Sequence, residues 1–185
     1  EQGPVNIRRI SDPAPAVSVA EAKVHLRVDG DADHDLIAGL IAGAVDYLDG
    51  WTGVLGRAIE AQTVEMTLDS WPAAVKLPLG PVDPDSVVIV YSAGGADQVL
   101  SVAAYQVDVR SIVEAVVTPV GTWPSPARSI RVRWTAGAGA SPSDKQMILQ
   151  MVGTGYLNRE ASGAAAQETP FGPNSRAFAT RVWEF

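Results

Sequence analysis

The stretch SVAEAKVHLRVDGDADHDLIAGLIAGAVDYLDGWTG, residues 18–53, decides the fold class. Ser18 followed three positions later by Glu21 is a capping-box signature and opens a short helix that ends near Leu26 to Val28. Asp29-Gly30-Asp31-Ala32-Asp33 is a turn, and its carboxylates sit at the start of a second helix, where the helix dipole favours negative charge. In that second helix Ile37, Leu40, Ile41, Ala44, Val45, Leu48 and Trp51 recur at three- and four-residue spacing, with Asp46 and Asp49 on the opposite face. Thr52-Gly53 reads as its C-terminal stop. Two short antiparallel helices therefore begin the domain.

Working outward, the first 17 residues read as an extended arm, because Pro4, Pro13 and Pro15 disfavour a helix. Beyond residue 58 the period changes from helical to two. Thr63 to Asp69 alternates, with Val64, Met66 and Leu68 on one face and Thr63, Glu65, Thr67 and Asp69 on the other. Val75 to Leu77 is a short partner strand, and Pro81 and Pro84 break the chain before a strand at Val87 to Tyr91. Gly94-Gly95 turns the chain into Gln98 to Leu100. Tyr105 to Val109, Ile112 to Val117 and Ser129 to Trp134 are further strands, the last with Arg131 and Arg133 opposite Ile130, Val132 and Trp134. Ser141-Pro142-Ser143-Asp144 then starts a helix carrying Ile148, Val152 and Tyr156, which ends near Asn158 to Glu160.

This order predicts an α+β fold: a small helical bundle made by the N-terminal helices and a C-terminal helix, with an inserted antiparallel β region and an extended C-terminal tail. The expected divisions are an arm at 1–17, a domain at 18–160 (helices 18–53 and 142–160, β region 59–136), and a flexible bridge and tail at 161–185.

Composition narrows the function. The chain has 185 residues, 46% of them hydrophobic, enough for one domain with a core. Cysteine is absent, which excludes disulfides, zinc–cysteine sites and thiol catalysis. The net charge of -7 is opposite in sign to that of a duplex-coating protein. No signal segment and no apolar run long enough to span a membrane is visible. Eleven Arg against three Lys, with abundant alanine, point to a GC-rich coding genome.

No constellation for catalysis emerges, and no cofactor or metal is expected. His25 and His34 both lie in the N-terminal helical region, and nothing places a serine beside either. The run Asp29, Asp31, Asp33, Asp35 fails the calcium-loop pattern, with His34 and Leu40 where Gly and Glu are needed. Gly137-Ala138-Gly139 lacks the following Lys-Ser or Lys-Thr of a phosphate loop and reads as a strand-to-helix turn. Arg128, Arg131, Arg133 and Lys145 form a modest basic cluster that suits an acidic partner, the DNA backbone or a neighbouring subunit, and equally a solvated strand face. The C-terminal Phe171, Phe178, Trp183 and Phe185, with Arg181 among them, are the densest aromatic group, and burial of each is worth roughly 2–3 kcal/mol. Such a tail on a linker suits docking into another chain, the alternative being that it folds back on its own domain.

Val17 to Val28, Asp33 to Gly53, Arg131 to Gly137 and Asp144 to Glu160, together with Pro170-Phe171-Gly172, resemble in order and spacing the head–tail connector (adaptor) proteins of long-tailed phages and phage-derived gene transfer agents. The glycine at position 139 departs from the aromatic that often stands near there in the family. The resemblance implies a ring, usually a dodecamer, that sits below the portal at the head–tail interface of a virion or gene transfer agent particle. Such a ring extends the channel through which DNA passes without sequence-specific binding, and docks a stopper or tail component. It implies no catalysis, no membrane, and residence in the bacterial cytoplasm before assembly. The tail residues Phe171, Phe178, Arg181, Trp183 and Phe185 are then the portal-docking candidates. The alternative is a carbohydrate- or ligand-binding β module with helical flanks, resting on exposed-looking Trp71, Trp123 and Trp134.

Overall fold

The structure is a computed structural model, and it describes residues 6–125 and 127–158. Helices and antiparallel sheets together make an α+β fold, in two compact units. Among the described residues the helical unit comprises 15–59 and 139–158, and the β unit comprises 6–14 and 60–138.

The helical unit holds α1 (Val19–Leu26), α2 (His34–Leu48) and α3 (Pro142–Leu157). Both expected capping boxes are present. Glu21 N–H donates to Ser18 Oγ at 3.1 Å and Ser18 N–H to Glu21 Oε2 at 2.8 Å; Ser141 and Asp144 repeat the pattern at 3.2 and 3.0 Å. Ala22 of α1, Ile37, Ile41, Ala44 and Leu48 of α2, and Met147, Ile148 and Val152 of α3 make one core, closed from the flanks by Val17, Leu55 and Ile59. The second helix stops at Leu48, before the expected Gly53. Residues 49–57 turn back onto its end instead: Val54 N–H donates to Tyr47 C=O at 2.9 Å and Leu55 N–H to Leu48 C=O at 3.1 Å. At Gly53 a Cβ would stand 2.2 Å from Asp49 O, so the turn needs its glycine for close backbone approach.

The β unit holds β1 (Asn6–Arg9), β2 (Gln62–Leu68), β3 (Val75–Pro78), β4 (Val82–Ala93), β5 (Ala96–Val99), β6 (Tyr105–Val109), β7 (Glu114–Pro119) and β8 (Arg128–Ala136). They form a five-stranded antiparallel sheet, β1-β2-β8-β4-β5, and a three-stranded one, β3-β7-β6. The inward row, Val64, Met66, Leu68, Ile130, Val132, Trp134 and Ile89, is buried. Tyr105 of the small sheet is buried and donates its hydroxyl to Val87 C=O of the large one at 2.7 Å; burial raises its pKa.

Several expectations change. Part of the N-terminal arm, Asn6–Arg9, is an edge strand paired with β2. Strand β3 pairs with β7, not with its sequence neighbour β2. Strand β4 begins at Val82 and runs through Pro84, because the register slips between Asp83 and Val88 and no ladder hydrogen bond is required of the proline there. The Gly94-Gly95 turn forms as expected, as a two-residue hairpin: Ala93 pairs with Ala96, and the two glycines have φ of 63° and 85°.

Candidate functional site

Position 65 is read from the alternation as one member of the polar face of β2, and there the structure builds a network of ion pairs across three strands. Register sets Arg8 of β1 and Arg133 of β8 on either side of Glu65 of β2. Arg133 Nε donates to Glu65 Oε2 at 2.6 Å, and Arg8 Nη2 donates to Oε1 at 2.6 Å. The Glu65 side chain is 1% exposed, while those of Arg8 and Arg133 are 66% and 44% exposed. Burial pushes the Glu65 carboxyl up, and the hydrogen bonds from Arg133 and Arg8 outweigh it and hold the group below its ordinary value. One carboxylate thus carries two outward-facing guanidinium groups.

The three basic candidates of β8 have different settings. Arg133 belongs to the Glu65 network. Arg131 is half-buried and pairs with Asp97 of β5. Arg128, at the start of the strand, is exposed and has no ion pair among the described residues. Phe171, Phe178, Arg181, Trp183 and Phe185 lie outside the described residues.

The tryptophans separate. Trp134 is fully buried in the β-unit core, which corrects its reading as an exposed aromatic. Trp71 and Trp123 stack face to face, centroids 4.4 Å apart and planes at 5°, with Tyr91 tilted beside Trp71 at 6.1 Å. Each indole N–H donates to the carbonyl of the proline after the other tryptophan: Trp71 Nε1 to Pro124 O at 3.0 Å, and Trp123 Nε1 to Pro72 O at 2.8 Å. Two Trp-Pro loops are clasped together by this reciprocal pair, so both indole donors are already used.

In the helical unit, Asp31 accepts from Lys23 at 2.7 Å and Asp33 from the Tyr156 hydroxyl at 2.5 Å, so the acidic turn is tied to two different helices. Among the described residues no group of three His, Asp or Glu side chains could hold a metal ion. His25 and His34 are both exposed. Gly137, φ 92°, is a turn in which a Cβ would stand 2.2 Å from Glu60 O. Arg57 and Asp144 form a buried ion pair at 2.7 Å that holds the post-α2 turn to the start of α3. A shallow groove is lined by Ala20, Glu21, Val24, His25 and Leu149. Leu36, Tyr47 and Trp51 are exposed large apolar residues on and just beyond α2.

Sequence reasoning missed the Glu65 network and the exposed side of α2. The first has no local signal, since Arg8 and Glu65 are 57 residues apart. The second had one: uncharged residues at positions 36, 39, 43 and 47, off the buried stripe of the same helix.

A capped helical unit and an antiparallel β unit with surface networks define the class as an α+β protein. Solved structures of the same fold place it further. The chain is similar to one in the neck of an empty gene transfer agent particle computed with C6 symmetry, with 20% identity, TM-score 0.74 and 97% of each chain covered. It is similar to one in the virion of a native gene transfer agent particle, with 22% identity, TM-score 0.73, 97% of this chain and 96% of the other. It is also similar to one in the neck of a native particle computed with C12 symmetry, with 21% identity, TM-score 0.67 and 97% of each chain. No family model and no curated protein matches. The resemblance carried by the motifs is therefore also a resemblance of fold over nearly the whole chain.

Proposed function

We propose that this chain is a head–tail adaptor, a structural and non-enzymatic component of the neck of a virion or gene transfer agent particle. The observation that carries the reading is the fold likeness to gene transfer agent neck chains at TM-score 0.74 over 97% of both chains, in agreement with motifs in the same order. Copies assemble as a closed ring of twelve below the portal, extend the DNA channel and dock the stopper. Before assembly the chain resides in the bacterial cytoplasm. The C6 and C12 symmetry of the similar neck structures supports a ring. The net charge of -7 suits a channel that DNA slides through without adhering.

The portal contact is assigned to Phe171, Phe178, Arg181, Trp183 and Phe185, aromatic anchors whose individually weak binding is multiplied by avidity in a ring. Arg128 is the cation of β8 best placed to meet a neighbouring component, since Arg131 and Arg133 are engaged within their own sheet.

The test is binding of the chain to the portal ring from the same source, with and without residues 161–185, read by native mass spectrometry. One chain per portal subunit, lost on truncation while the circular dichroism of the body is kept, is the expected result. Binding kept after truncation would move the contact to the body. No binding by the full chain would remove the adaptor reading.

A further inference from the structure

Helix α2 carries two residues that its own fold does not use. Gly39 and Gly43 are exposed, and a Cβ added at either would meet nothing within 4 Å. Neither has positive φ, so no backbone requirement calls for glycine. Glycine is nevertheless the poorest helix former after proline. On a helix, residues 36, 39, 43 and 47 share a face. Leu36 and Tyr47 on that face are exposed large apolar residues, so the glycines floor a notch with an apolar side chain at each end. Asp35 and Asp46 border the notch, exposed and without an ion pair among the described residues.

The same unit has a second, different apolar surface. The groove between α1 and α3 is lined by Ala20, Glu21, Val24, His25 and Leu149; Glu21 is paired with Lys145, and Val24 at the rim is 80% exposed. One turn on, Arg27 caps α1 in the left-handed conformation, is exposed, and has no ion pair among the described residues. A notch bordered by unpaired carboxylates fits a rim from which Val24 projects and which ends in an unpaired guanidinium, the one carboxylate of that groove, Glu21, being already paired with Lys145.

We propose that α2 of one copy packs into the α1/α3 groove of the next, Val24 seating between Gly39 and Gly43 and Arg27 meeting Asp46. This contact is the repeat of the ring and rests on the adaptor reading above. Because each copy contributes two different surfaces, the contact is heterologous, the kind that closes into a ring when the rotation divides the circle. Glycine at 39 and 43 is then explained by the close approach of the neighbouring helix.

The chain has no cysteine, so introduced pairs report without background. The full chain carrying Val24→Cys and Ala42→Cys, assembled on the portal ring from the same source and oxidised, is expected to give a ladder of covalent multimers that neither single variant gives. Ala42 is exposed on α2, three residues after Gly39 and next to Gly43. Arg27→Asp and Asp46→Arg should each weaken ring assembly by about tenfold, and the double variant should recover it. Gly39→Ala with Gly43→Ala should raise the melting temperature of the chain off the ring while lowering ring yield. A ring that forms, by native mass spectrometry, without the ladder overturns the inference and leaves the adaptor reading standing. Dimers from Ala42→Cys alone overturn it too, because α2 would then face itself. A chain that forms no ring on the portal takes both down together.

Discussion

Glu65 illustrates how much rests on single side chains. Removing its charge with Gln leaves Arg8 and Arg133 one neutral amide oxygen in place of two charged acceptor oxygens. Because both guanidinium groups are partly solvated, Glu65→Gln is expected to lower stability by about 1–2 kcal/mol in urea unfolding. The pH dependence has a definite sign. The folded carboxyl titrates below its ordinary value of 4.5, so its contribution is complete above that pH and is lost as pH falls through the lower folded value. Melting temperature should therefore decline below pH 4.5 in the native chain and decline less in Glu65→Gln; identical acid limbs would remove Glu65 as a contributor. Glu21 is a parallel case at the surface, its carboxyl lowered to about 2 by the Ser18 backbone hydrogen bond first and by Lys145 and the Ser18 hydroxyl after it, and its side-chain resonance should titrate there. Asp144 is the more severe position. It caps α3 and pairs with buried Arg57, and Asp144→Ala, by stranding that cation, should destabilise the chain by about 3–5 kcal/mol in the same unfolding measurement.

Elements make their own predictions. The Trp71–Trp123 clasp joins two loops that local sequence does not join, and its two indole hydrogen bonds are reciprocal. A double-mutant cycle with Trp71→Phe and Trp123→Phe should give a coupling of about 0.5–1.5 kcal/mol; a coupling near zero would mean that the loops are held by other contacts. Helix α2 predicts the opposite direction of change. Gly39→Ala and Gly43→Ala should each stabilise the chain off the ring by about 0.5–1 kcal/mol, since the new methyl groups meet nothing. At Gly137, where a methyl would collide with Glu60 O and φ is 92°, the same substitution should destabilise by more than about 1 kcal/mol. The contrast among these glycines follows from what surrounds each one, not from glycine as such.

At the scale of the whole molecule, charge and exposed surface define the behaviour. With a net charge of -7 the chain should not retard duplex DNA in a gel at physiological salt, as expected of a channel wall; tight retardation would point to a nucleic-acid binder instead. The notable features of the described surface, the two arginines over Glu65, the exposed side of α2 and the α1/α3 groove, are open to solvent. Faces of this kind serve assembly, and the adaptor reading puts them to that use.

The sequence by itself determined what depends on near neighbours along the chain. Capping at Ser18 and Ser141, the apolar stripe of α2, the alternation of β2 and β8 and the turn at Gly94-Gly95 are each set within a few residues, and each is legible in the order of residue types. The α+β class and the connector resemblance followed from them. Tertiary structure alone decided what depends on distant segments meeting. The pairing of β3 with β7, the edge strand at Asn6–Arg9, the burial of Glu65 between two arginines and the clasp of Trp71 on Trp123 join residues some 40 to 70 positions apart. No local propensity encodes such a partner. Its choice is made by the registers and burial of the assembled sheets, where a carboxylate such as Glu65 is tolerated only because cations from two other strands arrive beside it.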